Sequence, residues 1–82
     1  MISSPQCKAA RALLGLTQPE LAELADLGLS TVVDFEKGRR RVSDVAVVSL
    51  QQALERAGIQ FIAENGGGAG VRLKKRQTPK PR

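Results

Sequence analysis

Residues 17–38 read TQPELAELADLGLSTVVDFEKG, and their punctuation predicts two short helices joined by a tight turn. Thr17 followed three residues later by Glu20 is a capping box, the arrangement in which each side chain satisfies the other residue's backbone N–H at a helix start. Pro19 is harmless in that first turn, where its missing N–H has no intrahelical partner. The second helix spans about 18–25, with Leu21, Leu24 and Ala25 as its apolar side. The DLG that follows breaks the pattern. A third helix over about 29–37 turns Val32 and Phe35 inward and stops at Gly38. Where two helices cross closely one residue must be small, and Ala22 fills that place. Leu21, Ala25, Leu27, Val32 and Phe35 hold the pair to a body, and Asp26 stands where the turn needs a left-handed residue.

Working outward, SSP before QCKAARALLG starts a first helix, with Ser4 as its cap, Pro5 at its first position and Gly15 as its stop. SDVAVVSLQQALERAG is a fourth helix begun by Ser43 and Asp44; Val47, Leu50, Leu54 and Ala57 form one buried stripe, and Gly58 ends it. The texture then changes to alternation. In IQFIAE, Ile59, Phe61 and Ala63 point one way and Gln60, Ile62 and Glu64 the other; VRLKK repeats the pattern with Val71 and Leu73. With NGGGAG between them these strands form a β-hairpin. The glycine run is not a phosphate loop, because no GK[ST] follows it and no strand-to-helix context surrounds it. The chain therefore divides into a helical domain, 1–58, a hairpin, 59–75, and a disordered basic tail, 76–82.

Charge is concentrated in two places. Residues 1–36 hold two cations and five acids, residues 37–41 hold four cations, residues 42–71 hold one cation and three acids, and residues 72–82 hold six cations and no acid. Localised basic charge points to a polyanion partner. The chain has no histidine, which removes the commonest general base and metal ligand, so no enzyme activity, metal or cofactor is expected. Its single cysteine, Cys7, cannot form an internal disulfide and reads as a small buried hydrophobe, consistent with an intracellular, cytoplasmic protein. No stretch has the length of a signal peptide's apolar run or of a membrane span.

LLGLTQPELAELA followed by STVVDFEKGRR closely resembles the DNA-binding helix-turn-helix of the phage-repressor-like (XRE/Cro/C1) regulators, over about residues 4–57. ALERAGIQFIAENGGGAGVRLKK resembles a tail seen on small bacterial members of that family. The chain departs from the pattern in having Asp26 where the turn usually has glycine, and Gly28 where the third helix usually has a Ser or Thr cap. The resemblance implies a mainly α fold, a four- to five-helix repressor-like domain with a C-terminal β-hairpin, in which Leu29, Ser30, Thr31 and Asp34 face bases. Leu29 would contact a thymine methyl, and Ser30 and Thr31 would donate or accept. Asp34 would accept from cytosine N4, repel wrong placements, or simply face solvent beside the DNA. Glu36 would pair with Arg11, leaving Arg11 to reach a phosphate; Gln18, Lys37, Arg39, Arg40 and Arg41 would contact the backbone.

The expected function is a sequence-specific transcriptional regulator, a repressor that also controls its own promoter, binding a palindromic operator as a homodimer. The interface would be built from the fourth helix and hairpin through Leu50, Leu54, Ile59, Phe61, Ile62, Val71 and Leu73. Alternatively the hairpin only caps its own core. A second functional reading is an antitoxin or interaction module whose DNA binding a small antagonist or toxin protein controls. Arg72, Lys74, Lys75 and Arg76 either touch DNA flanks or solubilise the tail.

Overall fold

The computed structural model of the protein describes residues 1–74. Four helices, α1 (Ser4–Leu14), α2 (Gln18–Ala25), α3 (Leu29–Lys37) and α4 (Asp44–Arg56), precede strands β1 (Ile59–Ile62) and β2 (Gly70–Leu73). The expected basic tail, with Lys75 and Arg76, lies outside the described residues.

Caps account for the helix boundaries. The first helix is capped by Ser3, not Ser4. Gln6 sits three residues after Ser3 and completes a capping box, so Ser4 and Pro5 fall inside the first turn. Gly15 closes α1 in the left-handed region at φ 70°. Thr17 and Glu20 cap α2 reciprocally, at 3.2 Å and 2.8 Å. Ser43 caps α4 through the Ala46 N–H. That helix ends at Arg56 with Ala57 as a right-handed cap, and Gly58, at φ 113°, turns the chain into β1. The apolar stripe is accordingly Ala46, Val47, Leu50, Ala53 and Leu54. Ala57 lies beyond the last helical turn and is exposed.

The core is one cluster shared by helices and hairpin. Cys7, Leu21, Val32, Leu50, Leu54 and Ile59 are its largest fully buried side chains, with Leu14, Leu27, Phe35, Phe61 and Val71 packed against it. Leu24 is not part of the apolar side of α2: it is 49% exposed.

β1 and β2 pair antiparallel, with Ile59 opposite Leu73 and Phe61 opposite Val71. An isolated two-stranded hairpin is marginal in water, and here it is anchored twice. Ile59 is buried, and Gln6 of α1 donates from Nε2 to the carbonyls of Gly70 at 3.0 Å and Ile62 at 3.4 Å. Ala63 falls past the strand and is exposed.

This packing takes three of the seven side chains expected at a dimer surface out of reach. Leu50, Leu54 and Ile59 have no exposed area in the single chain, so side chains already closed inside one protomer have no surface left for a second. Phe61, Ile62 and Val71 are half-buried, and Leu73 is 50% exposed.

Candidate nucleic-acid interface

The turn between α2 and α3 sets the geometry. Asp26 adopts φ 58°, the one positive φ outside glycine among the described residues, and the Leu27 N–H bonds back to the Ala22 carbonyl at 2.9 Å. Asp tolerates this region better than most residues because its short polar side chain bonds locally. Ala22 is buried at the crossing of the two helices. Gly28 then starts α3 in extended backbone, with no side-chain bond to the helix N-terminus.

One side of α3 is closed and the other is open. Val32 and Glu36, four residues apart, are buried. Leu29, Ser30 and Lys37 are exposed, and Thr31, Val33 and Asp34 are half-buried. The helical spacing of 29, 30, 33, 34 and 37 makes these one face. Val33 belongs to it although the sequence motif does not single it out; its i, i+4 relation to Leu29 is the available signal. Thr31 lies at the border of this face, toward Phe35.

Glu36 is the buried polar centre, only 2% exposed. Arg11 donates to it twice, from Nε to Oε2 at 3.0 Å and from Nη2 to Oε1 at 2.9 Å. Gln18 Nε2 donates to Oε1 at 3.0 Å and the Cys7 thiol to Oε2 at 3.4 Å. Arg11 also donates from Nη1 to the Leu16 carbonyl at 3.1 Å. One carboxylate thus joins α1, α2 and α3. Burial by itself would raise the Glu36 pKa, but the donors from Arg11, Gln18 and Cys7, with the Arg11 charge, outweigh it and the carboxyl lies below its ordinary value. The hydrogen bond to Glu36 holds the Arg11 pKa up. Burial, reinforced by the Glu36 charge, pushes the Cys7 thiol up to about 12, so Cys7 stays a neutral donor.

Two of the residues expected at phosphate therefore also bond inward. Nε and Nη2 of Arg11 and the amide of Gln18 converge on Glu36. The Gln18 backbone N–H remains at the start of α2, since the Glu20 N–H is taken by Thr17.

The four cations that end α3 and begin the following loop lie on the open side. Lys37, Arg39, Arg40 and Arg41 are all exposed. Gly38, at φ 68°, ends α3, and the Arg39 N–H bonds to the Asp34 carbonyl at 3.1 Å. That reversal brings Arg40 back along the helix, where its Nε donates to Asp34 Oδ2 at 2.8 Å.

The arrangement presents an open helix face beside a basic loop, on a rigid three-helix anchor. A family model described as helix-turn-helix matches residues 8–59, more than half of the chain and the whole of α2, α3 and α4. No curated protein matches the chain closely enough to count as a relative.

Proposed function

The chain belongs to the helix-turn-helix family of DNA-binding transcriptional regulators, of XRE/Cro/C1 type, and on that premise we propose that it is a repressor that binds a palindromic operator as a homodimer. The observation that carries this reading is the placement of the loop's three exposed arginines, Arg39, Arg40 and Arg41, beside the open face of α3, which itself ends in the exposed Lys37. A helix of this diameter fits the major groove, and its exposed N-terminal residues meet base edges. Leu29 and Ser30 lead this contact, with Thr31 and Val33 behind them. Leu29 offers apolar contact to a thymine methyl, and the Ser30 hydroxyl donates or accepts.

Lys37, Arg39 and Arg41 hold the backbone. Each phosphate neutralised contributes about −0.9 to the slope of log K against log salt. The Gln18 N–H at the start of α2 offers an anion a further donor. Arg11 acts chiefly by fixing α3 through Glu36, which orients the reading face.

A single copy contacts too little DNA for high specificity. Two copies on half-sites about 10 base pairs apart double the contacts. On the hairpin and α4, Leu73, Ile62, Val45 (78% exposed) and Val48 are apolar side chains still open to a second copy. On this reading it works in the cytoplasm, at the nucleoid. Among the described residues, no helix is long and apolar enough to cross a membrane.

Selection of bound sequences from random duplex DNA tests the proposal. A two-fold symmetric motif is the expected result. Binding that ignores sequence, or a motif without symmetry, contradicts it.

A further inference from the structure

The Asp34–Arg40 pair assigns a role that neither residue has alone. Arg40 bonds to Asp34 through Nε only, to a single carboxylate oxygen. Among the described residues Nη1 and Nη2 of Arg40 have no hydrogen-bond partner, and the side chain is half exposed. Guanidinium is a rigid planar fork, so a bond at Nε alone tethers the head and leaves the Nη1–Nη2 edge free to donate elsewhere. The loop is also tied at its root, since the Arg39 N–H bonds to the Asp34 carbonyl. Asp34 therefore holds both the loop backbone and the arginine head against the open face of α3.

We propose that Asp34 and Arg40 form one guanine-reading unit, in which Asp34 positions the Arg40 fork to donate to O6 and N7 of a guanine in the major groove. This inference rests on the DNA-binding reading above and deepens it. Guanine presents two acceptors that a planar fork meets at once, and no other base offers that pair in the major groove. Phosphate is the poorer partner for this arginine. The Asp34 carboxylate already neutralises it, and an incoming phosphate would face a like charge close by. The pair thus exchanges general affinity for selectivity, and it assigns base reading to a loop residue that its charge alone would place on the backbone.

Selection from random duplex DNA, run on the wild type and on Arg40→Ala, Arg40→Lys and Asp34→Ala, with affinities measured across a salt series, tests the assignment. The wild type is expected to prefer guanine at one position of each half-site by roughly ten- to hundred-fold. Arg40→Ala should erase that preference and leave the other positions intact, with the salt slope changed by much less than one phosphate contact. Arg40→Lys keeps the charge without the fork and should lose the same preference. Asp34→Ala should erode the same position and steepen the slope by up to about 0.9 as Arg40 is freed for phosphate. A motif unchanged in all three variants, or uniform weakening with a slope shallower by about 0.9 in Arg40→Ala, overturns the unit while leaving the DNA-binding reading in place. A wild type that selects no motif removes that reading, and this inference with it.

Discussion

Two carboxylates two residues apart on α3, Asp34 and Glu36, each meet an arginine, and the two pairs differ in almost everything else. Glu36 is buried and takes four donors from two other helices: Arg11 twice and Cys7 from α1, and Gln18 from α2. Asp34 is partly exposed and takes one side-chain donor, from a half-exposed loop residue. The first pair is a joint of the fold. The second sits on the face that the fold presents. The difference teaches that position on the helix, not residue type, decides what an ion pair does. A buried carboxylate must be fully satisfied or it destabilises the core, whereas an exposed one contributes little stability and remains available for recognition.

Removing each acid should separate the two roles most clearly. Glu36→Ala leaves Arg11 without its partner and opens a hole between three helices; a loss of about 3 kcal/mol is expected, or a drop of about 15 °C in thermal midpoint for a domain of this size. Asp34→Ala should change stability by no more than about 0.5 kcal/mol. Thermal unfolding by circular dichroism reads both, and equal midpoints for the two variants would break the comparison.

Acid titration sharpens it. The folded Glu36 pKa lies below its unfolded value, so its contribution is complete above about pH 4.3 and is lost as pH falls through the lower folded value. Wild-type stability should fall across that acid window, and Glu36→Gln should lack that part of the fall. Cys7 acts at the other extreme. Its thiol is raised from 9.0 to about 12, so its contribution is complete below pH 9 and is lost as pH rises toward 12. Urea unfolding at a series of pH values measures both limbs.

Two smaller substitutions probe how α3 is launched. Asp26→Gly removes the steric cost of the left-handed turn but gives the unfolded chain more freedom, for a net gain of about 0.5 kcal/mol. Gly28→Ser supplies the missing cap. A Cβ there meets nothing within 4 Å, and φ is −70°, so a gain of a few tenths of a kcal/mol, about 0.3, is expected. Denaturant midpoints report each, and a loss of stability in either variant would mean that the turn is held by contacts other than those described.

Much of the fold was legible because its signals are local. Thr17 with Glu20, the left-handed Asp26, Gly28 before α3 and Gly38 after it are all positions where backbone geometry restricts residue choice. The two-residue alternation of 59–62 and 71–73 likewise marks the hairpin. The misreadings arose where local rules leave a choice. SSP allows either serine to cap, and Gln6 decides it by closing the box on Ser3. Ala57 continues the apolar spacing of α4, but the helix ends before it. Leu24 fits an apolar side by type yet faces outward.

The site was less legible because long side chains meet across elements. The Arg11–Glu36 pair follows from the family resemblance. Nothing in the spacing of Cys7 or Gln18 shows that both also converge on Glu36. Arg40 reaches Asp34 only because Gly38 reverses the chain, a consequence of three-dimensional path rather than of sequence interval. The anchoring of the hairpin by Gln6 is of the same kind, linking residues 6 and 70 through backbone carbonyls.

The central claim is that α3 meets DNA with the face opposite Glu36. Backbone chemical shifts of the protein, followed as an operator duplex is added, test it most directly. The account predicts the largest changes at Leu29, Ser30, Val33 and Asp34 and across Gly38–Arg41, with Val32 and the core of α4 little moved. Changes centred on the hairpin or on the outer face of α4, with α3 unaffected, would contradict it.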